Sequence, residues 1–172
     1  MTSKIQHRNE KKVTEQVRAT VIDTGKKYVR AGKIIIDAPA STIFAYLSDP
    51  RKHADFDGSG TVKGNVRGPD VLELDSKFGV DMHLIVNYRI KNTVKEFEQD
   101  RLIAWCHPGH HRWRYELIAI NDHQTEVIET FDGSTARIPV ALNLMNAYEG
   151  NQKAILKTLV RLKKLVESEQ SV

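Results

Sequence analysis

Residues 139–167 read PVALNLMNAYEGNQKAILKTLVRLKKLVE, the strongest helical pattern in the chain. Leu144, Tyr148, Ile155, Leu159, Leu162 and Val166 fall near one stripe, with Lys153, Lys157, Arg161 and Lys164 on the opposite side. Such a stripe must cover an apolar surface. At roughly 1.5 Å per residue the segment extends about 40 Å, long enough to lie across a whole sheet.

The segment before it supplies that sheet. Between Thr61 and Asp132 the chain reads as about six strands separated by turns. The longest is expected from Met82 to Phe97, where Met82, Leu84, Val86, Tyr88 and Ile90 alternate with His83, Ile85, Asn87 and Arg89. RLIAWCH, a turn at HPGH, and HRWRYELIAI follow, the last with Trp113, Tyr115, Leu117 and Ala119 in phase. TEVIETFD closes the sheet after a tight connection at Asn121 and Asp122.

Ahead of these strands, KIIIDA is a β-branched run closed by Pro39 and reads as a first strand. Ser41 offers an N-cap or first-turn oxygen to a short helix over TIFAYL, stopped by Asp49 and Pro50. A second short helical turn is expected at Arg51 to Asp55. Strands followed by a terminal helix predict an α+β domain, a curved antiparallel sheet wrapped around a long C-terminal helix in a helix grip, with two short helices after the first strand. The domain is expected over residues 31–168, and residues 1–30 as a basic, partly ordered extension whose Val13, Val17 and Val21 spacing fits either a helix or a strand.

Composition narrows the function classes. A chain of 172 residues with 40% hydrophobic and 28% charged residues fits one globular domain. No apolar run nears the roughly 18 residues of a membrane span, and MTSKIQHRNEKK has no apolar segment of a secretory signal, so a cytoplasmic protein without integral membrane association is expected. The lone Cys106 excludes an internal disulfide and, within LIAWC, reads as a packed small hydrophobe. The net charge of +4 gathers toward the N-terminal region and the last helix rather than an aromatic-interleaved patch, so no nucleic acid is expected.

The residues also resemble a known family. DAPASTIFAYLSDPRKHADF, VKEFEQDRLIAWC, WRYELIAINDHQTEVIETFD and NAYEGNQKAILKTLVRLKKLVE, in that order, are similar to the START-like, Bet v 1-like (SRPBCC) superfamily in its polyketide cyclase/dehydrase branch, over residues 32–168. The resemblance implies the helix-grip fold and a cavity between sheet and helix. It does not single out a catalytic set, since the superfamily includes lipid carriers, hormone binders and cyclases.

Candidate site residues follow from strand phase. Tyr88, Trp105, Trp113, Tyr115 and Phe131 sit at same-face positions suited to lining an apolar pocket. Asn143, Asn146, Tyr148 and Asn151 on the terminal helix are candidate ligand contacts, and Glu129, in phase with Val127 and Phe131, is the candidate acid or base. His107, His110 and His111 read more simply as surface turn residues than as metal ligands, because no third ligand lies at suitable spacing. His83, Asn87 and Arg89 are expected to face outward. No phosphate loop, nucleophile elbow or paired-cysteine motif occurs, so no cofactor or metal is expected. The expected function is binding or transport of a small hydrophobic or aromatic ligand by a monomer or homodimer. The alternatives are a polyketide cyclase or dehydratase using a pocket acid/base, and an interaction module docking through its basic N-terminal arm.

Overall fold

The computed structural model describes residues 17–83 and 87–169, and the side chains of all of these except 63–65, 83, 87 and 88. The basic arm ahead of residue 17, including Val13, lies outside the described residues, as do the side chains of Tyr88, His83 and Asn87.

Eight strands form one antiparallel sheet: β1 (Thr20–Ile22), β2 (Val29–Ile36), β3 (Val62–Arg67), β4 (Lys77–His83), β5 (Asn87–Glu98), β6 (Leu102–Cys106), β7 (Arg112–Asn121) and β8 (Gln124–Asp132). Their spatial order is β1-β2-β8-β7-β6-β5-β4-β3. Between β2 and β3 lie helix α1 (Ala40–Ser48), a 3-10 turn (Pro50–Lys52) and helix α2 (His53–Phe56). After β8 come α3 (Pro139–Leu144) and α4 (Ala147–Glu169). This is the helix grip. Register shifts between Lys63 and Val66, Val94 and Glu96, and Ala119 and Asn121 interrupt the ladder, and such bulges increase the bend that lets a sheet wrap a helix.

Alternation fixes which face is inside. Along β8, Thr125, Val127, Glu129 and Phe131 are buried while their neighbours are half-exposed, so a single phase carries the concave face. Helix α4 answers with Ile155, Thr158, Leu159, Leu162 and Val166, all buried, and leaves Lys153, Lys157, Arg161 and Lys164 exposed. It packs chiefly on β2.

Two glycines set how closely the helix lies. A Cβ on Gly32 of β2 would stand 2.9 Å from Ile155 Cγ2, and one on Gly58 would stand 2.3 Å from the Ala154 carbonyl oxygen. At the second point the Gly58 N–H donates to Thr158 Oγ1 at 2.8 Å. The loop after α2 is thereby pinned to the middle of α4.

The structure corrects three expectations. The terminal helix is interrupted: Asn146 adopts a left-handed φ of 54°, a conformation Asn tolerates, which separates α3 from α4. Leu144 consequently leaves the buried stripe and is 82% exposed. The expected strand from Met82 to Phe97 is a hairpin, with Met82 in β4 paired to Tyr88 in β5. Its connection, Leu84-Ile85-Val86, carries no turn residues, so period-2 alternation runs through it unbroken. Ser41 takes the first-turn position of the two expected for it, behind Pro39 at the N-cap of α1. The sheet also begins earlier than residue 31, since β1 pairs with β2 and β2 starts at Val29.

Gly58→Ala tests the pinning. The added methyl collides with α4 backbone rather than with a flexible side chain, so stability falls by about 1–3 kcal/mol. Urea denaturation of the variant measures it; an unchanged midpoint would show that the loop does not bear on the helix.

Candidate functional site

Between the concave face and helices α2, α3 and α4 lies a cavity of about 460 Å³. Register explains its lining. Trp105, Trp113 and Phe131 are directly opposite one another across β6, β7 and β8, and Tyr115 is opposite Glu129 one step along the same face. Trp113 and Phe131 rings lie 5.0 Å apart, and Trp105 and Tyr115 rings 5.6 Å apart. Asn146 and Asn151 reach the wall from the helix side.

Not every expected residue arrives there. Asn143 is exposed on α3 and does not line the cavity. Tyr148 packs instead beyond its end, against Tyr28 and Phe131, and its hydroxyl donates to the Pro139 carbonyl at 3.1 Å. The side chain of Tyr88 lies outside the described residues.

Glu129 is the chemical centre of the cavity. It is 2% exposed, its Oε1 accepts a hydrogen bond from the Tyr115 hydroxyl at 2.8 Å, and its Oε2 has no partner. Burial pushes its carboxyl from 4.5 up to about 8, against the opposing pull of the Tyr115 bond and with a smaller push from the Asp57 charge. At neutral pH the group is mainly the neutral acid. With Oε1 accepting, the proton belongs on Oε2, which makes that atom a hydrogen-bond donor in an apolar enclosure. The Tyr115 hydroxyl is itself pushed well above its usual range by burial and by Glu129, so it stays protonated.

His53 is the residue sequence reasoning missed. It is buried, stacks on Trp105 at 4.9 Å and 19°, and its Nε2–H donates to the Leu47 carbonyl at 2.9 Å. Because that carbonyl only accepts, Nε2 holds the proton, and burial holds the ring below its usual pKa and neutral. The sole local hint was Phe56, three residues on, completing one face of a four-residue helix.

The turn histidines also differ from expectation. His107 and His111 are half-buried at the cavity wall with ring centres 3.5 Å apart. Burial depresses both, His111 to about 4. His110 alone is a surface residue, turned outward by a φ of 70° and lying with its Nε2 3.3 Å from Arg137 Nη2. His111 shares the phase of Trp113 and Tyr115, which is the signal that placed it inside. Cys106 alternates with Trp105 and so lies half-buried on the outer face rather than in the core. Arg89 faces outward as expected and pairs with Asp81 at 3.0 Å. Among the described residues no group of three His, Cys, Asp or Glu is placed to hold a metal ion.

The raised carboxyl has a thermodynamic signature. Between its unfolded value of 4.5 and its folded value of about 8, the folded chain keeps a proton the unfolded chain has lost, so stability falls as pH rises. His53, His107 and His111, depressed from 6.5, act in the opposite sense, but only below that pH. From pH 6.5 to 8 the fall from Glu129 amounts to about 1–2 kcal/mol. Denaturation at the two pH values shows this decline in the wild type and its absence in Glu129→Gln; equal slopes would contradict the placement of the proton.

No family model matches the chain. It is 40% identical over 119 residues to an uncharacterized protein of Mycobacterium tuberculosis, covering 69% of this chain and 53% of that protein. The chain thus spans about half the length of the curated relatives it matches. Among solved structures, a protein of Nitrosomonas europaea superposes with TM-score 0.66 at 14% identity, over 88% of this chain and 100% of that one. A polyketide-cyclase-like protein of Corynebacterium glutamicum gives 0.57 at 16%, over 84% and 94%. An aromatase/cyclase from a Streptomyces species gives 0.61 at 12%, over 83% and 94%. These likenesses show the fold: the chain shares the helix grip of the polyketide-cyclase-like protein and of the aromatase/cyclase.

Proposed function

We propose that the protein binds or carries a small, largely apolar and partly aromatic molecule in the cavity, held by a hydrogen bond from Glu129 to a carbonyl or hydroxyl oxygen. The observation that carries this reading is the unpartnered Glu129 Oε2 inside a cavity of about 460 Å³ walled by Trp105, Trp113 and Phe131. A buried polar atom without a partner is costly, by about 1–3 kcal/mol, and a ligand oxygen removes that cost on binding. The aromatic walls supply the remaining affinity without directional demands. A free thiol at Cys106 fits a reducing compartment such as the cytoplasm.

Paired probes that differ by one oxygen test it. 2-Acetylnaphthalene presents a carbonyl and 2-ethylnaphthalene does not. At 100 times its dissociation constant the ketone adds about 2.7 kcal/mol of stability. In the wild type the ketone binds about tenfold more tightly than the hydrocarbon, and in Glu129→Leu the preference disappears. Binding of neither, across a wider set of lipids, sterols and aromatic ketones, would contradict the proposal.

A second reading rests on the same carboxyl. A group titrating near 8 beside a protonated tyrosine suits general acid/base work on a carbonyl compound, the chemistry of a cyclase or dehydratase. In deuterated buffer an ionised Glu129 exchanges the methyl protons of 2-acetylnaphthalene, with a rate that rises through pH 8. Exchange at the buffer rate, or unchanged exchange in Glu129→Gln that still binds the ketone, would leave binding as the sole activity of the site.

A further inference from the structure

The outer face of the sheet carries a second concavity, of about 580 Å³, that the cavity reading does not use. Its floor is a row across four strands: Lys77 of β4 is opposite Thr93 of β5, Thr93 is opposite Cys106 of β6, and Cys106 is opposite Arg112 of β7. Lys91 joins from the same phase of β5, opposite Gly79, which has no side chain to fill the space, and Lys95 lies at the bulge. Four cations therefore line one groove, and no carboxylate does.

Like charges gathered on one sheet face repel, so the arrangement favours an anion. Local compensation is partial. Arg112 pairs with Glu96 at 3.0 Å, and Lys95 stands 3.6 Å from Asp75, while Lys77 and Lys91 have no acidic partner among the described residues. No Trp, Tyr or Phe lines the groove, so it lacks the stacking platform that single-stranded nucleic acid uses. The groove also borders the site already described, since His107 lines both the groove and the inner cavity.

We propose that this groove binds an oxyanion, a carboxylate or phosphate group, and that an acidic amphiphile supplies it by passing over His107, with its apolar part in the cavity and its acidic group on Lys77 and Lys91. The oxyanion site stands on the groove alone, whereas the bridging rests on the cavity reading. Thr93 and Arg112 provide neutral and charged donors beside the two free lysines, a mixed set suited to an oxygen-rich group.

Two internal reporters make the proposal testable on the intact protein. The single thiol, Cys106, reports on the groove through its alkylation by iodoacetamide, and the two tryptophans, Trp105 and Trp113, report on the cavity through fluorescence. The probes are inorganic phosphate, dodecanoate and dodecanol, each compared in wild type and in Lys77→Gln/Lys91→Gln, whose changes are at exposed positions. The wild type binds dodecanoate about tenfold more tightly than dodecanol, dodecanoate slows alkylation of Cys106, and both differences vanish in the double variant. If phosphate protects Cys106 while neither amphiphile alters tryptophan fluorescence, the groove takes a free anion and the cavity reading fails by itself. If dodecanol alters fluorescence but neither phosphate nor dodecanoate protects Cys106, the groove proposal is overturned and the cavity reading stands. Protection by oligouridylate alone would overturn it as well.

Discussion

Helix α4 is held at two glycines, against the sheet at Gly32 of β2 and against the loop after α2 at Gly58, and the site lies beside these contacts. A Cβ on Gly58 would collide with the helix backbone, and one on Gly32 would press on the Ile155 side chain. The Asn146 kink turns α3 out of line with α4, and beside the helix the bent sheet leaves space. The space left between becomes a cavity instead of core, so the enclosure is a consequence of how a curved sheet grips a helix at limited points.

That enclosure decides the chemistry of Glu129. In water the same carboxyl would be ionised and bland. Inside, with one oxygen on Tyr115 and the other unpartnered, it is held mainly neutral at the cavity wall. His53 reinforces the wall differently, spending its proton on the Leu47 carbonyl while its ring supports Trp105. Buried polar groups of this kind cost stability, and their clustering around one cavity is the pattern of a functional site.

Most of the grip was legible in the sequence because it rests on two periodicities. The 3.6-residue stripe from Tyr148 to Val166 and the alternation of Trp113, Tyr115 and Leu117 each encode a buried face directly. Glu129 was legible for the same reason, being an acid in an otherwise apolar phase. What failed shared a cause: alternation carries no information about chain direction. It ran through the Leu84-Ile85-Val86 connection, and helical spacing likewise ran through Asn146. His53 was invisible because its burial comes from Trp105 and Phe78, both distant in sequence. The basic groove was hidden similarly, since Lys77, Lys91 and Arg112 meet only once three hairpins have set their register.

The central claim, a neutral carboxyl held ready for a ligand oxygen, is most directly tested by titrating the Glu129 side-chain carboxyl by carbon NMR, with Glu129→Gln to assign it, in the presence and absence of 2-acetylnaphthalene. The account predicts a midpoint near 8 for the free protein and a higher one when the ketone is bound, because its carbonyl accepts from the protonated form alone. A midpoint near the ordinary 4.5, unmoved by the ketone, would contradict it.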